Sequence, residues 1–174
     1  MKHFLVVVDM QKDFVDGALG TPEAVAIVEK VAEKIKNFTG KIFVTYDTHF
    51  DDYMDSSEGK KLPVPHCIKD TDGWQLNDTI SQALKNKVYT NVEKLTFGSV
   101  PLPDLIGIEA GEEDFDITLV GLCTDICVVS NAIILKANFP EVEIKVDSSC
   151  CAGVTPESHE AALKTMAMCQ INVV

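Results

Sequence analysis

Two cysteines in the stretch Leu119–Val129 lie where an apolar run gives way to a helical pattern. The run Ile117–Val120 ends in Gly121, and Cys127 falls in the first turn of the helix predicted to follow. Unpaired N–H groups and the positive end of a helix dipole favour a thiolate at such a position. This pattern is compatible with Cys127 as a nucleophile, but on this stretch alone it is more typical of two small buried core residues.

Charged residues also follow two other predicted strands. Asp9 follows the apolar run Phe4–Val8, and Lys94 follows the short strand predicted at 87–90. A carboxylate at a strand end can take the proton of a thiol, and an ammonium group can stabilise both anions. Taken singly, Asp9 is typical of a loop cap and Lys94 of an exposed charge. Their shared placement at strand ends favours a catalytic set of Asp9, Lys94 and Cys127.

A second set of residues has the composition of a metal site. Asp47 and His49 form a D-x-H pair after the apolar run 41–46, and His66 lies in a proline-rich extended segment. A carboxylate and two imidazoles suit one divalent transition metal such as zinc, iron or manganese. Glu58 is the first choice for a fourth ligand. The weaker candidates are Asp51, Asp52 and Asp55. The alternative is a loop cap at Asp47 and a surface role for His66.

The elements that must position these residues alternate between strands and helices. Strands are predicted at 4–8, 41–46, 87–90, 116–121, 142–146 and 171–174. Helices are predicted from Pro22 to before Gly40 and at 74–85, 102–110, 124–138 and 155–168, with a long polar loop at 51–73. This alternation predicts an α/β fold of three layers, α/β/α, with a mostly parallel six-stranded sheet. Ligands bind beyond the carboxyl ends of the strands in such sheets.

The composition restricts the class of protein. A chain of 174 residues with 46% hydrophobic residues is most simply one domain, spanning 1–174. The net charge of −12 argues against nucleic acid or an anionic membrane as a partner. The apolar N-terminal run is only Phe4–Val8, which is too short for a signal peptide and predicts a cytoplasmic protein. In that setting the six cysteines are expected to be reduced.

Several of these motifs together resemble the isochorismatase-like cysteine hydrolases, and the metal-type residues resemble the nicotinamidase branch of that family. The resemblance runs in order from about residue 5 to 155, and its most specific part is the turn G-x-x-T-D-x-C-V. The motifs are Val8-Asp9 with Gln11 and Phe14, Asp47-x-His49, Pro65-His66-Cys67, Lys94 and Gly121–Val128. The resemblance implies a Rossmann-like arrangement of the sheet.

The resemblance also implies roles for individual residues. Cys127 would be the nucleophile, Asp9 the base and Lys94 the third member of a triad. A cis peptide bond would precede Cys123, and the N–H groups of Cys123 and Cys127 would form an oxyanion hole. The implied metal ligands are Asp47, His49 and His66. The residues expected to bind substrate are Gln11, Phe14 and Leu19.

These roles predict a metal-containing amidohydrolase that works through a thioester, with nicotinamide as the favoured substrate. The sequence departs from the nicotinamidase pattern at Leu62–Pro65, which has no aromatic residue to stack on a pyridine ring, and at Ile126, which is often polar. One alternative is a related amidase acting on another small amide or carbamoyl compound. A second is a non-catalytic thiol domain that binds ligands or senses redox state. Isochorismatase activity would leave the metal set without a role. A homo-oligomer is compatible with the sequence.

Overall fold

The computed structural model describes residues 1–174 and contains six strands and seven α-helices, with a π-helical turn at Thr124–Val128 directly before the sixth of them. The strands are β1 Lys2–Val8, β2 Lys41–Asp47, β3 Tyr89–Lys94, β4 Phe115–Leu122, β5 Glu143–Ala152 and β6 Asn172–Val173. The helices are α1 Lys12–Val15, α2 Pro22–Asn37, α3 Ser57–Lys61, α4 Asp78–Leu84, α5 Leu102–Ala110, α6 Val129–Asn138 and α7 Pro156–Met168. None of these helices has the length and apolarity needed to cross a membrane.

The strands form one sheet in the order β3-β2-β1-β4-β5-β6, and every pairing is parallel. The prediction of a mostly parallel six-stranded sheet is therefore confirmed, with no antiparallel strand in it. Strands β2 and β3 lie on one side of β1, and the chain then crosses over so that β4, β5 and β6 lie on the other side. The carboxyl ends of β1 and β4 consequently face a crevice, which is where open parallel sheets bind ligands.

Two apolar cores cover the two faces of the sheet. Leu5 and Val7 of β1 belong to the core that includes α2 and α4, whereas Phe4, Val6 and Val8 belong to the core that includes α5 and α6. All five of these side chains are buried, as expected for a strand in the middle of a covered parallel sheet. Burial on both faces thus explains why this run of the sequence is continuously apolar.

The two Thr-Pro signals begin helices as predicted. The Thr21 hydroxyl accepts a hydrogen bond of 3.0 Å from the N–H of Ala24 at the start of α2. The Thr155 hydroxyl accepts one of 3.1 Å from the N–H of Ser158 at the start of α7. In both helices a proline occupies the first helical position, where its missing N–H costs nothing.

The region 51–73, expected to be a polar loop, contains two short helical segments. Residues Tyr53–Asp55 form a 3₁₀ turn and Ser57–Lys61 form α3. Both are too short to produce a repeating apolar pattern, so hydrophobic periodicity could not reveal them. Local hydrogen bonding explains α3, because the Ser56 hydroxyl accepts a bond of 2.9 Å from the N–H of Gly59.

The carboxyl ends of β1 and β4 approach each other closely at Gly121. This residue has a φ of +117°, and a Cβ atom on it would collide with the backbone of Val8. Only glycine accommodates both the backbone conformation and the contact. Asp9, the next residue after β1, is itself in the left-handed region with a φ of +47°. This conformation ends the strand and begins the turn that carries the Asp9 carboxylate.

Candidate active site

The structure brings together Asp9, Lys94 and Cys127 at the carboxyl ends of β1, β3 and β4. The Lys94 ammonium lies 2.7 Å from Asp9 Oδ2 and 3.4 Å from the Cys127 sulfur. All three side chains are buried, and Cys127 is 4% exposed. One lysine therefore contacts both an acid and a thiol in a site shielded from water.

Thr45 of β2 orients the Asp9 carboxylate, and sequence patterns gave no indication of this role. The Thr45 hydroxyl donates a hydrogen bond of 2.6 Å to Asp9 Oδ1 and accepts one of 3.2 Å from the Asp9 N–H. The other oxygen, Oδ2, is buried and faces the Lys94 ammonium. The carboxylate is thus fixed on one side and available on the other.

Burial dominates the electrostatics of the acid and the thiol. It raises the pKa of Asp9 above its ordinary value, and the Lys94 ammonium offsets part of this effect. Burial, together with the negative charge of Asp9, raises the pKa of Cys127 well above its ordinary value despite Lys94. Burial and the Asp9 charge thus favour the protonated thiol over the thiolate that was expected at the helix start. A thiol in this setting needs a base to react.

The predicted metal ligands converge into one cluster. One donor atom each from Asp47, His49, Glu58 and His66 lie within 4.8 Å of one another. Asp47 Oδ2 lies 3.0 Å from His49 Nε2 and 3.6 Å from His66 Nε2. Glu58 Oε1 lies 3.8 Å from His49 Nε2 and 3.6 Å from His66 Nε2. The weaker candidates Asp51, Asp52 and Asp55 are outside this cluster.

The surroundings of the two histidines fit a metal site. The Nδ1 atom of His66 lies 2.8 Å from the carbonyl of Val64, so it carries the proton there and leaves a lone pair on Nε2. Tyr53 packs edge-on against both rings, with centroid distances of 4.8 Å to His49 and 5.1 Å to His66. Two imidazoles and two carboxylates whose donor atoms face one another match the preferences of a divalent transition metal.

Asp47 joins this cluster to the lysine site. Its Oδ1 accepts a hydrogen bond of 3.0 Å from Lys94, while Oδ2 faces the two histidines. Although burial acts in the opposite direction, His49, His66 and Lys94 hold the pKa of Asp47 far below its usual range. The carboxylate therefore remains ionised between a cation and the predicted ligands.

Gln11, expected to bind substrate, is instead fully buried behind the site. Its Oε1 accepts a hydrogen bond of 2.8 Å from the Asp47 N–H, and its Nε2 donates to the carbonyls of Asp47 and Trp74 at 2.9 Å each. With these contacts its amide has no atom directed at a ligand. Gln11 thus fixes the backbone that carries Asp47.

A cavity of about 400 Å³ opens onto Cys127 on one side and onto Asp47, Glu58 and His66 on the other. Phe14 and Leu19, two of the residues expected to bind substrate, line it, and Phe97 contributes an aromatic side chain to its wall. The remaining lining residues are Ser57, Lys61, Leu62, Leu95, Thr96, Cys123 and Ile126. Trp74 lies outside it, packed on Tyr46 with its indole N–H bonded to Thr48.

The peptide bond before Cys123 has the conformation that the resemblance implied. The Leu122–Cys123 peptide bond is cis, and the Cys123 N–H has no hydrogen-bond partner within the protein. Burial raises the pKa of the Cys123 thiol to about 12, so this sulfur is protonated at neutral pH. The backbone of Cys123 rather than its thiol is therefore the available group.

Comparison with known proteins agrees with this fold. The family model for the isochorismatase domain matches residues 3–174, and the chain belongs to the isochorismatase family. An uncharacterised isochorismatase family protein from Bacillus subtilis, PncA, is 30% identical over 181 positions, covering 96% of this chain and 95% of its own.

Two solved structures extend the comparison. The nicotinamidase/pyrazinamidase PncA from Bacillus subtilis has a TM-score of 0.87 and 26% identity, with 100% of both chains covered. The N-carbamoylsarcosine amidase from Thermoplasma acidophilum has a TM-score of 0.77 and 27% identity, covering 99% of this chain and 95% of its own. Both similar proteins are named for hydrolysis of a C–N bond in a small molecule.

Proposed function

We propose that this protein is a cysteine-dependent, metal-containing amidohydrolase that converts nicotinamide and water to nicotinate and ammonia. The observation that carries the proposal is the single cavity shared by Cys127 and the cluster of Asp47, Glu58 and His66. Its volume of about 400 Å³ is near the lower end of the range for small-molecule sites, roughly 300–1,000 Å³. The likeness to a nicotinamidase and to another amidase supports amide hydrolysis.

The first chemical step uses the contact of Lys94 with both partners. Asp9 takes the proton of the Cys127 thiol, and the sulfur attacks the amide carbonyl carbon to form a C–S bond. The Lys94 ammonium stabilises whichever of the two groups carries the negative charge, since it lies near both. The N–H groups of Cys123 and Cys127 donate hydrogen bonds to the carbonyl oxygen as negative charge develops on it.

The second half of the reaction releases ammonia and restores the thiol. The protonated Asp9 gives its proton to the departing nitrogen as the C–N bond breaks, which leaves a thioester on Cys127. Asp9, ionised again, takes a proton from water as the water oxygen attacks the thioester carbonyl. The C–S bond then breaks, the acid leaves, and the protonated Asp9 returns its proton to the Cys127 sulfur.

Asp47, His49, Glu58 and His66 would hold the metal. When bound, a divalent cation there supplies a Lewis acid that can coordinate a pyridine nitrogen and orient the carboxamide. Asp47 also contacts Lys94, which lies beside Cys127. The Asp47 carboxylate would therefore fix the distance between the metal ligands and the nucleophile. Phe14, tilted against His66 at a centroid distance of 5.4 Å, provides an apolar wall beside the same end.

A second candidate is an amidase acting on a different small amide or carbamoyl compound. Three positions of the cavity wall are leucines and not aromatic residues: Leu19, Leu62 and Leu95. A planar ring would therefore stack on fewer aromatic side chains than the nicotinamidase pattern implies. The likeness to the N-carbamoylsarcosine amidase supports this candidate. The likeness of this chain to two hydrolytic enzymes counts against the alternative of a non-catalytic thiol domain.

Ammonia release from nicotinamide by the purified, zinc-loaded protein tests the proposal. We expect steady release that is lost in Cys127→Ala and retained in Cys123→Ala, because the alanine at 123 keeps the backbone N–H. Release from a panel of other small amides and carbamoyl compounds, but not from nicotinamide, would favour the second candidate. Equal activity in Cys127→Ala and the wild type would contradict the thiol mechanism for both.

A further inference from the structure

Asn131 of α6 is a fully buried polar residue with no place in the mechanism above. Its Nδ2 donates a hydrogen bond of 2.8 Å to the carbonyl of Cys127 and one of 3.3 Å to the carbonyl of Phe97. Its Oδ1 accepts a bond of 2.8 Å from the N–H of Ser99. One side-chain amide therefore joins the backbone of the proposed nucleophile to two points on a neighbouring loop.

That loop, residues 95–100, forms part of the cavity wall. Leu95, Thr96 and Phe97 line the cavity, and the loop directly follows Lys94, whose carbonyl still accepts a bond from Thr48. No backbone hydrogen bond connects residues 95–100 to another part of the backbone. Asn131 makes all the hydrogen bonds between this loop and the rest of the protein.

Packing supports the same attachment. Gly98 is buried against α6, and a Cβ atom at this position would collide with Ile134 and approach the Ser130 carbonyl. Leu95 and Phe97, in contrast, are 65% and 45% exposed, so apolar burial contributes little to holding their part of the loop. The hydrogen bonds of Asn131 are consequently the main restraint on the wall next to Cys127.

We propose that Asn131 is a positioning residue that sets the loop 95–100 relative to Cys127 and thereby fixes the width of the substrate cavity. The inference rests on the proposed function in that the loop is taken as the substrate-facing wall. The Asn131 side-chain amide orients both the turn that carries Cys127 and the loop 95–100 that faces the substrate. Loss of the amide releases the wall and misaligns the nucleophile together, and small misplacements can lower rates by about 100-fold.

Two variants and one control test this role. Asn131→Asp keeps the size and an acceptor for Ser99 but loses the donor to the Cys127 and Phe97 carbonyls, while Asn131→Leu loses all three bonds. Ser99→Ala is the matched control, because the Ser99 hydroxyl is buried without a partner whereas its N–H, which alanine keeps, makes the bond. If Asn131→Leu does not fold, the aspartate variant still decides the question.

The readouts are kcat and KM for the amide substrate and the rate at which iodoacetamide alkylates Cys127, followed by peptide mass spectrometry. For both Asn131 variants we expect kcat/KM to fall by about tenfold or more, with KM raised, and alkylation of Cys127 to become several-fold faster as the wall opens. Ser99→Ala should match the wild type in all three quantities.

Folded Asn131 variants with a lowered melting temperature but unchanged kcat, KM and alkylation rate would overturn the proposal, since a merely structural role predicts that result. The alkylation rate does not require a substrate. It therefore tests the positioning role even if the wild type hydrolyses none of the amides, an outcome that would count against the proposed function alone.

Discussion

At the scale of the single residue, the Asp9 carboxylate links structure to pH dependence. Burial raises its pKa, and the hydrogen bond from Thr45 acts in the opposite direction. Asp9 must be ionised to accept the thiol proton. Activity is therefore expected to disappear as the pH falls through the raised pKa, which lies above that of an ordinary aspartate.

Thr45→Val tests this relation, because valine keeps the shape of threonine and removes the hydroxyl donor. The pKa of Asp9 should rise further, so the acidic limb of kcat/KM against pH should move to higher pH. Thr118→Val in β4 is a suitable control, since the Thr118 side chain makes no hydrogen bond to the site and its variant should keep the wild-type profile. An acidic limb that stays in place or moves to lower pH in Thr45→Val would refute Asp9 as the base.

Sequence reasoning identified the residues with reactive groups but missed those that hold them. Asp9, Lys94 and Cys127 could be predicted to meet because strand ends share one edge of a parallel sheet. Thr45 is 36 positions from Asp9, and Asn131 binds a loop 32 positions before it, so only the folded chain reveals these pairs. A buried threonine or asparagine has no spacing signature that separates it from a core or helix residue.

At the scale of the element, the close approach of β1 and β4 depends on Gly121. Gly121→Ala adds a Cβ at a φ of +117° and against the Val8 backbone. We expect a loss of about 1–3 kcal/mol in the free energy of unfolding, or more, together with a fall in activity because Asp9 and Cys123 follow these strands directly.

Gly107→Ala in α5 is the matched control for this change. A Cβ atom there meets only Phe139, at 3.9 Å, and the backbone is helical. Alanine should raise the free energy of unfolding by about 0.4–1 kcal/mol. Urea denaturation of both variants measures the two effects, and equal destabilisation by the two substitutions would contradict the packing argument.

The short helix α3 carries Glu58, the only predicted metal ligand on that element. Glu58→Gln keeps the shape but removes the negative charge, so zinc affinity measured by calorimetry should fall about tenfold or more. Asp55→Asn, in the preceding 3₁₀ turn, is the control and should leave the affinity unchanged because Asp55 lies outside the cluster. Zinc binding that is unaffected in Glu58→Gln, or equally weakened in both variants, would remove Glu58 from the ligand set.

The sequence predicted the long elements better than the short ones for a physical reason. β1, α2 and α7 have continuous apolar runs or capping residues that act locally. β3 was expected at 87–90 but covers Tyr89–Lys94, because only Val92 and Lys94 of this edge strand are buried and the apolar signal is weak. β5 continues to Ala152, beyond the predicted end at 146, through an irregular pairing with β4 that an apolar pattern does not encode.

At the scale of the whole molecule, excess acidic charge is the dominant feature. The chain has 27 acidic and 15 basic residues and a net charge of −12. Repulsion among the acidic side chains destabilises the folded state. Salt screens this repulsion, because the Debye length falls from about 30 Å at 0.01 M to about 8 Å at 0.15 M ionic strength. The melting temperature should therefore rise between these two salt concentrations.

Glu112→Lys, at an exposed position without an ion-pair partner, should reduce this salt response. The measurement is a thermal melt of both proteins at the two ionic strengths. A wild-type melting temperature that falls with salt would mean that the surface ion pairs outweigh the general repulsion.

The most direct test of the central claim is the mass of Cys127 during turnover of nicotinamide, after acid quenching and peptide mapping. The mechanism predicts that a fraction of the wild-type protein carries the acyl group as a thioester on Cys127, and that Cys127→Ala carries none and releases no ammonia. Turnover without an acyl group on Cys127, or with the acyl group on Cys123, would contradict the assignment of the nucleophile.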